Sequence, residues 1–141
     1  MIYELKDKYR FMSNFWPAVV SYDGMSFPSV EHAYVAAKTT DRNTRVQICH
    51  IPTAGEVKRF GRKLQLRKDW ESIKLDVMED LVRQKFKHPK LRAQLLETGN
   101  EHIQEGNHWN DTFWGVCRGR GENHLGKILM KIRQEIQDEQ V

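Results

Sequence analysis

The sequence predicts an α+β fold: a compact, mainly helical single domain spanning residues 1–141, with a small antiparallel β component. Three observations carry that reading. A chain of 141 residues is long enough to bury a core without disulfides or metals, and short for two domains. AVVSYDGMSF, residues 18–27, sets apolar residues on either side of Asp23-Gly24, a strong short-range hairpin signal. Further on, residues 69–86 and 123–136 repeat apolar side chains at helical spacing.

Each element follows from local chemistry. After the hairpin, Pro28 and Ser29 are expected to stop the strand, and Ser29 to cap a helix running to Lys38. In PTAGEVKRFG, Thr53 and Glu56 have capping-box spacing and Gly61 is a plausible terminator of a short helix. Asp69 is placed to cap the longest helix, in which Trp70, Ile73, Val77, Leu81 and Phe86 recur near helical spacing. HPKLRAQLLETG supplies another, ended by Gly99. Residues 101–123, rich in Trp, Asn, Asp and Gly, read as short strand and loop. Asn123 can cap a last helix whose Leu125, Ile128, Leu129, Ile132 and Ile136 form one stripe.

Composition limits the function classes. No apolar run has membrane-spanning length and the N-terminus has no signal-peptide pattern, so no membrane partner and a cytoplasmic address are expected. Cys49 and Cys117 are far apart and outside any CxxC pair, and the 6 histidines lack paired ligand spacing; reduced thiols and no metal are expected. Lys and Arg total 23 against 19 Asp and Glu, with the basic residues concentrated at 58–68. Such a run suits phosphates, or is simply a solvated face.

FPSVEHAYVAAK, residues 27–38, poses the functional question. With Ser29 as cap, Glu31 is the second helical residue and Lys38 lies two turns on, about 20° around the axis and about 10 Å along it. Val30, Ala33, Tyr34 and Ala37 line the adjoining face, leaving acid and amine at its margin. A ligand fits between them. An acid favoured by the helix dipole and an ordinary lysine explain the pattern without a ligand, and at this level that is the commoner case. Trp70 begins a core stripe or forms a platform, and WNDTFWG, residues 109–115, places Asp111 and Trp114 beside Gly115, where backbone approaches a ligand or merely packs. GRGENHLG, residues 119–126, reads as a loop and helix cap or as a phosphate cradle.

FMSNFWP (residues 11–17), SVEHAYVAAK (29–38), DWESIKLDVM (69–78), Lys85-Phe86, LLETG (95–99), NDTFWG (110–115) and NHLGKILMKIR (123–133) together resemble the NADAR, or YbiA-like, family. Order and spacing match from about Phe11 to Arg133. The resemblance implies a mainly helical α+β domain with N-glycosidase chemistry and no required cofactor or metal. Implied substrates are ADP-ribosylated guanosine, in a nucleotide or in nucleic acid, or ribosylamino-pyrimidine intermediates of riboflavin synthesis. A non-catalytic nucleotide- or nucleic-acid-binding module is the alternative of another class. By the same resemblance Glu31, Lys38 and Asp111 are candidate catalytic residues, and Asn14, Phe15, Trp70, Trp114 and Gly115 candidate substrate-binding residues. The residue types suit the chemistry: a carboxyl group relieves charge on a departing nitrogen, an amine of lowered pKa forms a Schiff base, and an aromatic ring stacks on a base.

Overall fold

In the computed structural model, which describes residues 1–140, Asp23 and Gly24 both take positive φ, 50° and 80°, as a tight hairpin turn requires. They join β1 (Pro17–Tyr22) to β2 (Met25–Ser29) in an antiparallel pair with Val20 opposite Phe27 and Tyr22 opposite Met25. The expectation that Pro28 and Ser29 stop the strand is corrected here. Ser29 is the last residue of β2 and pairs with Pro17, and Pro28 falls where the register shifts. A two-stranded sheet tolerates Pro, because β2 has an edge that donates to no neighbour.

The chain groups into two compact units, one of residues 14–85 and the other of residues 1–13 with the segment from Phe86 onward. In the first unit, α1 (Val30–Ala37) follows β2 directly, and α2 (Arg42–Cys49), α3 (Ala54–Gly61) and α4 (Trp70–Lys85) succeed it. The hairpin and all three later helices pack on α1. Every residue of α1 except Glu31 is buried, and the small side chains Ala33, Ala36 and Ala37 let its neighbours come close. At the α3 crossing, a Cβ on Gly61 would stand 3.0 Å from both Val35 methyl groups. Gly61 ends α3 as expected, but the demand on it is space: its φ is ordinary and Arg62 is the C-cap. Thr53 Oγ1 accepts the Glu56 amide at 3.2 Å, the expected cap.

The second unit begins with a 3₁₀ turn (Asp7–Met12) and continues through α5 (Pro89–Glu97), β3 (Gly106–Asn107), β4 (Val116–Cys117) and α6 (His124–Glu139). The short strands expected in residues 101–123 are present, paired in parallel over two residues each. Gly99, φ 62°, follows the Thr98 C-cap and ends α5 as read. Leu125, Ile128, Leu129, Ile132 and Ile136 are all buried, the stripe anticipated for α6. Asn123 is its N-cap residue but makes no side-chain cap bond. Its amide instead accepts from Glu105 N–H and donates to the Ile103 carbonyl, pinning the strand region to the helix start.

Candidate active site

Glu31 stands at the second position of α1, where its backbone amide is one of the donors a helix leaves unsatisfied. The Asn14 carbonyl accepts that amide at 3.1 Å. Two residues earlier, Ser29 Oγ accepts His32 N–H at 3.1 Å and meets His32 Nδ1 at 2.6 Å, while His32 Nε2 donates to the Ile51 carbonyl at 2.8 Å. The start of α1 is therefore held from three sides. Glu31 is the one residue of α1 that is not buried, and it stands in the first turn, where the helix dipole favours a carboxylate.

Lys38 is the C-cap of α1 and half-buried. Its Nζ lies 5.3 Å from the centre of the Tyr34 ring, and Tyr34 in turn lies 5.1 Å from Trp70. Burial holds the Lys38 amine below its ordinary pKa; Glu31 opposes that shift, and Lys74 and Lys58 reinforce it. The acid and amine thus feel one another across α1, and two further cations stand near. Lys74 pairs with Glu71 at 2.6 Å on α4, and Lys58 Nζ lies 5.9 Å from the ring of Phe15, which is exposed. Asn14 donates weakly to Met78 Sδ at 3.5 Å, and its Oδ1 is buried with no hydrogen-bond partner among the described residues.

The structure thus brings Glu31, Lys38, Asn14, Phe15 and Trp70 into one unit. Trp70 is 4% exposed, so it backs Tyr34 rather than presenting a free stacking face. Sequence reasoning missed Tyr34 and Lys74 as members of this group and read Lys58 only as part of a basic run. Tyr34 had a usable signal, lying three residues after Glu31 and four before Lys38. Lys74 had none without knowing that α4 packs on α1.

Asp111, Trp114 and Gly115 belong to the other unit. Asp111 Oδ1 accepts the amides of Phe113 at 3.1 Å and Trp114 at 2.9 Å, and its own backbone is bonded on both sides by the Asn107 side chain. This carboxylate shapes the NDTFWG loop. Trp114 sits edge-on to Phe113, centroids 4.8 Å apart. A Cβ on Gly115 would collide with Glu105, both its carbonyl and its carboxylate, so only glycine fits there. Among the described residues no group of three His, Cys, Asp or Glu is placed to hold a metal ion, and no helix is long and apolar enough to cross a membrane.

A family model described as the NADAR domain matches residues 2–137. The chain is 38% identical over 140 residues to the N-glycosidase YbiA of Escherichia coli, covering 95% of this chain and 86% of that protein. It is 37% identical over 140 residues to a riboflavin biosynthesis protein of Vibrio vulnificus, covering 96% of this chain but only 38% of that protein. An N-glycosidase of Nostoc punctiforme is 36% identical over 143 residues, covering 96% of this chain and 91% of that protein. The NMR structure of the E. coli protein YbiA superposes with a TM-score of 0.85 at 36% identity, over 99% of this chain and 84% of that one.

Proposed function

Because the chain belongs to the NADAR family, we propose that Glu31 and Lys38 carry an N-glycosidase reaction whose substrate is ADP-ribose joined to guanine. The protein is an enzyme of the N-glycosidase class, the class named for relatives 36–38% identical to it over nearly its whole length. The single observation that carries the assignment of residues is the pairing of a half-buried Glu31 with a Lys38 amine of lowered pKa on a helix otherwise wholly buried.

The chemistry follows from those two groups. Neutral Lys38 Nζ adds to the anomeric carbon as the bond from that carbon to the base nitrogen breaks, and Glu31 gives the departing nitrogen its proton. The ribosyl-lysine loses its ring oxygen bond and opens to a protonated Schiff base. Water then adds to the imine carbon, the sugar leaves as its free aldehyde form, and Lys38 is restored while Glu31 recovers a proton. Burial, Lys58 and Lys74 all favour the neutral amine that the first step requires. Tyr34, beneath the amine, offers the face of an aromatic ring to the cationic intermediate.

Lys58 and Lys74 favour a polyphosphate-bearing substrate, since two added cations beside the amine attract a diphosphate more strongly than a single phosphate. A second reading, hydrolysis of ribosylamino-pyrimidine intermediates, draws on the riboflavin biosynthesis protein among the relatives. A side-by-side assay against an ADP-ribosylated guanosine oligonucleotide, free ADP-ribosyl guanosine and the ribosylamino-pyrimidines separates the two. Higher kcat/KM on the guanosine compounds is expected; turnover of the pyrimidines alone would replace the first reading with the second.

A further inference from the structure

Away from Glu31, the unit of residues 14–85 contains a polar cavity, about 370 Å³, lined by Tyr22, Asp23, Thr40, Arg45 and Arg67. Its size is in the range of small-ligand sites, and its chemistry is that of an anion receptor. Arg45 is 7% exposed, an unusual degree of burial for a guanidinium. Its Nε is fixed by the carbonyls of Ala36 at 3.2 Å and Thr39 at 2.9 Å, and its plane stacks over the Tyr22 ring at 5.1 Å. Of its two terminal nitrogens, Nη1 meets Asp23 Oδ2 at 2.8 Å and Nη2 has no hydrogen-bond partner among the described residues. Arg67 donates through Nη1 to the Tyr22 hydroxyl at 3.3 Å, so that oxygen accepts and keeps its own proton to give. The Thr40 hydroxyl is likewise uncommitted among the described residues.

The carboxylates here are on the outside. The Asp23 side chain is 73% exposed against 9% for Arg45, and Asp69, which holds Arg67 at 2.6 Å, is 51% exposed against 20%. An exposed carboxylate gains little from such a pair and leaves it at small cost. If capping the end of α1 were the whole task of Arg45, its Nε alone would suffice. Arg45 instead also lines a cavity that it shares with Tyr22 and Thr40, both of which carry hydroxyl groups. Three donors approaching from three residues, one of them a preoriented guanidinium, match the tetrahedral oxygens of phosphate better than the flat face of a carboxylate.

We propose that the cavity lined by Tyr22, Thr40, Arg45 and Arg67 is a phosphate-binding site, in which a phosphoryl group displaces Asp23 from Arg45. The phosphoryl group comes from a terminal phosphomonoester or from the diester backbone of a nucleic acid. The proposal stands apart from the glycosidase reading, because it concerns binding at residues with no assigned part in turnover.

NMR titration of the full chain tests it, using inorganic phosphate with chloride replaced to hold ionic strength constant. Saturable shifts centred on the Thr40 amide, the Arg45 Nε–H and the Tyr22 ring are expected. Asp23→Asn keeps a residue that tolerates positive φ while removing the competing charge, and should tighten phosphate binding by roughly 3- to 10-fold. Thr40→Val, at an exposed position, should weaken it by a similar factor. Arg45→Gln should abolish it; if that variant fails to fold, the two exposed substitutions decide. A 5′-phosphorylated oligothymidine that binds where its 5′-hydroxyl counterpart does not identifies a terminal phosphate, whereas equal binding of both identifies the backbone. Phosphate shifts no larger than those from chloride, or an affinity unchanged by Asp23→Asn and Thr40→Val, would overturn the site.

Discussion

In the proposed mechanism Glu31 and Lys38 divide the chemistry by their surroundings, one a half-buried acid at a helix start and the other an amine disfavoured as a cation by burial. Glu31→Gln keeps the shape and removes the proton, so turnover is expected to fall by about 10² to 10⁴ with the melting temperature nearly unchanged. Single-turnover rates beside a thermal melt measure both; a full rate would remove Glu31 from the mechanism. Lys74→Met or Lys58→Met takes away a charge that disfavours the protonated amine, so the Lys38 pKa rises toward its ordinary value. Neutral amine then appears only at higher pH, and the acidic limb of kcat against pH moves upward in each variant. A limb that stays in place would mean that Lys38 is not the group titrating. The acid and amine were legible in FPSVEHAYVAAK because both lie on one helix, where spacing alone fixes their relation. Lys74 was not, because its proximity depends on how α4 meets α1. The reading of Asp111 as a catalyst rested on resemblance, and what its geometry adds is two backbone amides bound by one carboxylate oxygen.

The elements that sequence foretold are those whose cause is local. The hairpin follows from Asp23-Gly24 in positive φ, α3 from the Thr53 cap, the end of α5 from Gly99, and α6 from five apolar residues on one face. The helix α2 was not foretold, for its sequence RNTRVQIC buries only Arg45 and Ile48 and so displays no stripe. Its Asp41 cap, which accepts the Thr44 amide at 3.0 Å, was the one local clue. The parallel pair β3 and β4 is two residues long, too short for any periodic signal. The α1–α3 crossing supplies a prediction at this scale. Gly61→Ala drives a methyl group against the Val35 side chain, itself 1% exposed, and is expected to cost about 1–3 kcal/mol despite the better helix propensity of alanine. Urea unfolding measures it; an unchanged or raised midpoint would show that the crossing has slack.

At the scale of the whole molecule, buried Lys85 gives stability a pH dependence. Lys85 is fully buried, and burial pushes its ammonium down to about 7. The unfolded chain holds that proton up to the ordinary lysine value of 10.5, so between about 7 and 10.5 it binds more protons than the folded one. Stability from this group therefore rises with pH across that window, and below about 7 the full cost of burying a charge is present. Lys85→Met should flatten the rise and raise the melting temperature near neutrality; urea midpoints taken across the window for both proteins check it, and parallel curves would contradict it. Family membership gives the chain its N-glycosidase class, and the proposed mechanism adds a covalent bond between Lys38 and the sugar. Borohydride reduction during turnover, followed by peptide mass spectrometry, traps and locates that bond. A reduced sugar adduct is expected on the peptide bearing Lys38, with loss of both adduct and activity in Lys38→Arg, whose guanidinium keeps the charge but cannot act as the nucleophile. An active wild-type enzyme that yields no adduct, together with substantial activity in Lys38→Arg, would contradict it.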